Sequence, residues 1–169
     1  RNIVDPINAL KGDNLPVSAF NGREDGTWDN GTAAYEKRGI AVNVPEWNVE
    51  NCIQCNQCSY VCPHAAIRPF LATEEEAAAS GLAWKQGLGE TKAYKFRIQV
   101  SPLDCTGCGN CVDVCPAKTK ALVMKPLESQ MGEAENWNAV IKNVGYKQVV
   151  DKTKTVKNSQ FAQPLFEFS

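Results

Sequence analysis

Cys52-Ile53-Gln54-Cys55-Asn56-Gln57-Cys58-Ser59-Tyr60-Val61-Cys62-Pro63 and Cys105-Thr106-Gly107-Cys108-Gly109-Asn110-Cys111-Val112-Asp113-Val114-Cys115-Pro116 are two copies of one cysteine run. In each, three cysteines fall at every third position, and a fourth comes four residues later, just ahead of a proline. Each cysteine recurs 53 positions on, as Cys52 does at Cys105. All eight cysteines of the 169-residue chain lie in these two stretches. A small secreted domain with eight cysteines suggests four disulfides in any of 105 pairings. Crowding into two repeated runs favours metal chemistry instead.

The spacing points to [4Fe–4S] clusters. Three thiolates at equal steps wrap three corners of a cubane from one loop, and the fourth corner needs a ligand from elsewhere. In paired runs of this form the fourth cysteine of each ligates the other cluster. The expected sets are therefore Cys52, Cys55, Cys58 and Cys115 for one cluster, and Cys105, Cys108, Cys111 and Cys62 for the other. Pro63 and Pro116 turn the chain after the crossing ligand and present no N–H. Gly107 and Gly109 leave room for backbone N–H groups to reach sulfur, and such bonds raise a cluster's potential. Gln54 and Asn56 stand there in the first run, so backbone conformation and hydrogen bonding are expected to differ, and the potentials with them. Zinc is the competing reading. It favours pairs of C-x2-C knuckles over three equal steps and a fourth cysteine before proline.

Working outward, an apolar run precedes each cysteine stretch (Ile40–Val44, Phe96–Val100) and another follows it (Ile67–Leu71, Lys120–Met124). The expected unit is strand, cluster loop, helical turn and strand, twice over. The fold class is thus α+β, a bacterial-type two-cluster ferredoxin-like core with pseudo-twofold symmetry over residues 39–128. Residues 72–95 are not needed for cluster binding. Thr73 with Glu74-Glu75-Glu76 forms a capping box, and Gly81 stands at a helix stop, so an inserted helical hairpin is expected. Trp137, Val140, Ile141 and Val144 are spaced for one face of a packing helix opening near Glu133 to Glu135. Residues 1–38, with the Glu36-Lys37-Arg38 segment, read as an irregular extension, and 129–169 as that helix plus a linker.

With 43% hydrophobic and 22% charged residues, the composition is that of an ordinary folded domain. No run of about 18 apolar residues spans a membrane. A formal net charge of −1 argues against nucleic-acid binding. No secretory signal pattern is visible, and the absence of an initiator Met suggests an excised piece.

Weaker signals each have an ordinary reading. His64, the only histidine, sits two places after a ligand cysteine but reads as a solvent-facing or backbone-bonded side chain. Asp25, Thr27, Asp29 and Glu36 occupy calcium-loop positions, but Asn30 replaces the glycine required at place six. Gly87-Leu88-Gly89 reads as a turn. Lys142, Lys147, Lys152, Lys154 and Lys157, with Asp151 the only acid among them, read as a solvated face in preference to a dock for an acidic carrier. No nucleophile triad, carboxylate pair or phosphate loop appears, so no catalytic residue is assigned.

Leu15-Pro16-Val17-Ser18-Ala19-Phe20, Tyr35-Glu36-Lys37-Arg38-Gly39-Ile40-Ala41, Asn51 to Arg68 and Lys120 to Met124 together resemble pyruvate:ferredoxin (flavodoxin) oxidoreductase. Ser159 to Ser169 is similar to the segment leading into that enzyme's thiamine-diphosphate domain. The resemblance implies that the eight cysteines hold the medial and distal clusters of an intramolecular electron path. The thiamine diphosphate, coenzyme A and third [4Fe–4S] sites are implied for other parts of the parent. That parent would be a cytoplasmic homodimer, hydrogenosomal in an anaerobic eukaryote, which oxidises pyruvate and passes electrons to ferredoxin or flavodoxin. A ferredoxin-type subunit of another 2-oxoacid oxidoreductase is the alternative, with a zinc-stabilised interaction module behind it.

Overall fold

The computed structural model describes residues 2–29, 31 and 36–165. Asn30 of the calcium-like loop, Tyr35 of the Glu-Lys-Arg stretch and residues 166–169 of the C-terminal segment lie outside them. The chain divides into two compact units, the break falling between Arg38 and Gly39.

The N-terminal unit holds helix α1 (Val4–Asn8) and single 3₁₀ turns at Gly12–Asn14 and Val17–Phe20. None of these buries a residue, in keeping with a stretch that lacks apolar periodicity.

The second unit is built from the repeat. Strand β1 (Asn43–Trp47) leads through the first cysteine loop into α2 (Gln57–Tyr60) and strand β2 (Ile67–Ala72). After helix α3 (Glu74–Ser80) and strand β3 (Lys85–Gln86), strand β4 (Lys95–Val100) leads through the second loop into α4 (Asn110–Asp113) and strand β5 (Leu122–Pro126). The strands pair across the halves. β1 runs antiparallel to β5, with Trp47 opposite Leu122, and β2 antiparallel to β4, with Ile67 opposite Val100. β1 and β5 form a two-stranded sheet, while β3 adds to β4 in a three-stranded one. Pro69 is tolerated because β2 is an edge strand.

Alternation along β2 feeds two cores. Ile67 and Leu71 meet Phe96, Ile98, Val100, Leu122, Cys58 and Cys111 on the side of the cysteine loops. Phe70 and Ala72 meet Ala77, Val140 and Val144 on the other. Helix α5 (Gly132–Asn143) covers that second face, with Trp137 edge-on to Phe70 at 6.2 Å. Its start is fixed by Glu133, which accepts from Arg97 Nη2 at 3.0 Å and Gln99 Nε2 at 2.7 Å. Ile141, expected on the apolar face, is exposed instead.

Three expectations need correction. β1 and β5 start two or three residues later than the apolar runs suggested, leaving Ile40 and Val42 exposed, because cross-half pairing sets the register. Residues 72–95 do not form a helical hairpin. The capping box is present, with Glu76 N donating to Thr73 Oγ1 at 3.2 Å and Thr73 N to Glu76 Oε2 at 2.9 Å. Gly81, at φ +65, ends the helix, and the chain then returns as β3 along β4. Finally, the tail is no linker. A 3₁₀ segment (Gln160–Leu165) lies on β2, helix α6 (Val156–Ser159) lies against α2, and Phe161 enters the core edge-on to Phe96 at 6.1 Å. Its aperiodic sequence hides this because much of its anchoring is by side-chain hydrogen bonds, such as Arg68 Nη1 to the Gln163 carbonyl at 2.9 Å.

Phe161→Ala should destabilise the protein by roughly 3 kcal/mol or more, the usual cost of emptying an aromatic core site. Leu165→Ala, at an exposed position, should stay within about 0.5 kcal/mol. Denaturant unfolding of the two variants checks the difference.

Candidate metal centres

Each cysteine loop must bring three thiol groups to one face within seven residues, which ordinary right-handed backbone does not do. The loops use left-handed residues at two matched places: Gln54 and Asn56 at φ +59 and +60, and Gly107 and Gly109 at φ +74 and +80. The backbone is thus the same in both copies, contrary to the difference expected from the side chains. Gln54 N donates to Cys52 Sγ at 3.4 Å and Gly107 N to Cys105 Sγ at 3.3 Å. Gly107 is needed for space as well, since a Cβ there would sit 3.0 Å from the Asn43 carbonyl oxygen.

A left-handed Gln or Asn costs about 1–2 kcal/mol. The first loop offsets this with buried hydrogen bonds. Gln54 Nε2 donates to the Gln86 carbonyl at 2.7 Å, its Oε1 accepts from Leu88 N at 3.1 Å, and Asn56 Nδ2 donates to the Lys157 carbonyl at 3.0 Å. Gln54 and Asn56 therefore tie the first loop to β3 and to the tail. Lys85 adds three bonds from Nζ, to the carbonyls of Val49, Glu50 and Cys52. The second loop has no such cover at Gly109, and Cys108 is exposed.

Two cavities hold the cysteines, all of which are free thiols. Cys52, Cys55, Cys58 and Cys115 line one together with Trp47, Asn56 and Ile98. Cys62, Cys105, Cys108 and Cys111 line the other together with Val100, Gly109 and Pro45. The linings correspond through the 53-residue repeat, including Trp47 to Val100, Asn56 to Gly109, and Cys115 to Cys62. Among the described residues no three His, Cys, Asp or Glu side chains converge as a single metal ion requires. A four-iron cubane spreads its ligands over separate corners, and the donor chemistry of four thiols around each cavity fits it.

Burial disfavours the thiolate at Cys52, Cys58, Cys105 and Cys111 in the absence of a counter-charge. It pushes Cys58 well up, with Cys52, Cys111 and Cys55 adding to the shift. Cys111 rises to about 12 through burial and the neighbouring Cys105, Cys62 and Cys108. Cys105 is raised by burial, which Gly107 N–H opposes and Cys62 reinforces. Iron would supply the positive charge that makes thiolates favourable here. Arg68 contributes a buried cation near the second set. Burial lowers its pKa to about 10, while Asp104 and Cys62 act in the opposite direction.

The weaker signals resolve locally. His64 is exposed at the rim of the second cavity. Asp25 Oδ1 accepts from Thr27 N at 3.0 Å and Thr27 Oγ1 at 2.7 Å, a turn that uses the carboxylate without calcium. Gly87-Leu88-Gly89 leads into a 3₁₀ turn at Gly89–Thr91. Three of the five lysines are engaged: Lys147 pairs with Glu76 at 2.7 Å, Lys154 with Glu90 at 2.6 Å, and Lys152 lies over the Tyr146 ring. Sequence reasoning missed Trp47, Lys85 and Arg68. Setting Trp47 against Val100 in the aligned repeats was the available signal for the first.

Similar proteins give the setting. A family model described as a domain of unknown function, EKR, matches residues 1–41, and two described as 4Fe-4S dicluster domains match 51–119 and 97–159. The chain is 58% identical over 99% of its length to a pyruvate:ferredoxin oxidoreductase of Moorella thermoacetica. It is 54% identical over its whole length to a pyruvate-flavodoxin oxidoreductase of Enterobacter agglomerans. It is also 48% identical, again over its whole length, to a pyruvate dehydrogenase [NADP(+)] of Cryptosporidium parvum. It spans 14% of the two bacterial proteins and 9% of the third.

Asn56→Ala should destabilise by about 1 kcal/mol, through loss of the bond to Lys157 and with the left-handed strain retained. Asn56→Gly should cost less, because glycine removes the strain. Unfolding midpoints with alanine below both glycine and wild type check this.

Proposed function

Since the chain belongs to the pyruvate:ferredoxin (flavodoxin) oxidoreductase family, as a segment bearing both ferredoxin-type cysteine runs, we propose that it conducts electrons through two [4Fe–4S] clusters. Cys52, Cys55, Cys58 and Cys115 hold one cluster, and Cys105, Cys108, Cys111 and Cys62 the other, in a pseudo-twofold core with a 72–95 insertion. The observation that carries this reading is the lining of the two cavities, each with three cysteines of one run and the fourth of the other. When bound, such clusters accept and release single electrons. The chain's own groups fix the thiolates, exclude water from Cys58 and Cys111, and supply N–H donors to Cys52 and Cys105.

The parent protein oxidises pyruvate with coenzyme A on a thiamine-diphosphate domain that carries a third cluster, and this segment delivers the electrons to ferredoxin or flavodoxin. The names of the relatives support pyruvate as the substrate and ferredoxin or flavodoxin as the acceptor. The parent is a cytoplasmic homodimer, or hydrogenosomal in an anaerobic eukaryote. Among the described residues no helix is long and apolar enough to cross a membrane.

Anaerobically prepared protein should contain about eight iron and eight sulfide per copy of this segment, with brown colour bleached by dithionite. The different surroundings of the two cavities should give two distinct midpoint potentials. Colourless protein with bound zinc would overturn the reading, and a single shared midpoint would remove the asymmetry.

A further inference from the structure

Trp47 ends β1 and lines the cavity of Cys52, Cys55, Cys58 and Cys115. Its ring is held on two sides, edge-on to Phe96 at 6.4 Å and beneath the Arg97 guanidinium at 5.6 Å. That clamp fixes where the indole N–H points. Nε1 is buried and meets no acceptor at full hydrogen-bond geometry. A buried donor left unmet costs about 1–3 kcal/mol, so its position asks for an acceptor. The group it addresses is Cys52, which lines the same cavity and packs against the same core as Trp47, and on whose sulfur the indole N–H acts. Lys85, the nearby cation, gives its hydrogen bonds to carbonyl oxygens and not to sulfur.

Resting on the two-cluster reading, we infer that Trp47 is a positioning residue for one cluster alone, donating its indole N–H to the Cys52 thiolate and holding that cluster's midpoint potential up. The reduced cluster is the more negative, so a donor to a ligand sulfur favours it. Backbone donors do not distinguish the clusters, since Gln54 N and Gly107 N serve Cys52 and Cys105 alike. The indole does. Its counterpart in the repeat, Val100, lines the other cavity and has no side-chain donor.

The test is a potentiometric titration, followed by electron paramagnetic resonance, of the full-length cluster-loaded protein and its Trp47→Phe variant. Phenylalanine keeps an aromatic ring beside Phe96 and removes the donor. The variant should keep its iron and sulfide, with one of this segment's two midpoints displaced to lower potential and the other unmoved. Indole-¹⁵N-tryptophan in the unsubstituted protein should give a nitrogen hyperfine coupling to one reduced cluster. Unmoved midpoints, or equal displacement of both, overturn the inference. If the variant fails to load, the labelled unsubstituted protein decides, and absence of the coupling overturns it. Failure of the unsubstituted protein to bind iron would instead sink the two-cluster reading itself.

Discussion

Exchange of strands between the two halves of the repeat is the constraint on which the rest of this unit depends. β1 finds its partner in β5 and β2 finds its partner in β4, so neither half completes a sheet alone. Cys62 and Cys115 each follow a one-turn helix and precede an exchanged strand, and the exchange carries each toward the other half's three cysteines. The crossed cysteine sets are a consequence of sheet pairing as much as of the cysteine loops. The loops, in turn, work only with two left-handed residues apiece, which glycine provides without strain in the second copy.

On this shared frame the halves have diverged. The first loop is strained and tethered, held by Gln54 to β3 and by Asn56 to the tail. The second is relaxed and open, with Cys108 exposed. Residues 72–95 and the C-terminal segment thus do more than connect or extend the repeat: both brace the first cysteine set. Burial of polar contacts strengthens electrostatic influence on what lies nearby. Two cavities with matched cysteines but unmatched surroundings are well suited to an electron path with a gradient.

The two cysteine loops, the order of strands and the start of α3 were legible because each has a short-range code: fixed spacing, an apolar run, a capping box. What escaped detection depends on distant partners. The register of β1 follows from β5, 75 to 83 positions away, and Ile40 and Val42 look like strand residues until that pairing is known. The tail has no periodicity because a 3₁₀ segment held by side-chain-to-backbone bonds has none to show. The late lysines read as a solvated face because the acids that Lys147 and Lys154 meet, Glu76 and Glu90, lie far back in the chain, within residues 72–95. Trp47 carried no motif, and its weight comes from the cavity it lines.

The central claim is that each cluster draws three thiolates from one run and its fourth from the other. Diffraction from crystals of the cluster-loaded protein, with anomalous data at the iron edge, tests it most directly by locating each iron beside its sulfur ligand. The account predicts that Cys115 Sγ binds the cluster of Cys52, Cys55 and Cys58, and Cys62 Sγ that of Cys105, Cys108 and Cys111. A map in which Cys62 completes the cluster of its own run would contradict it.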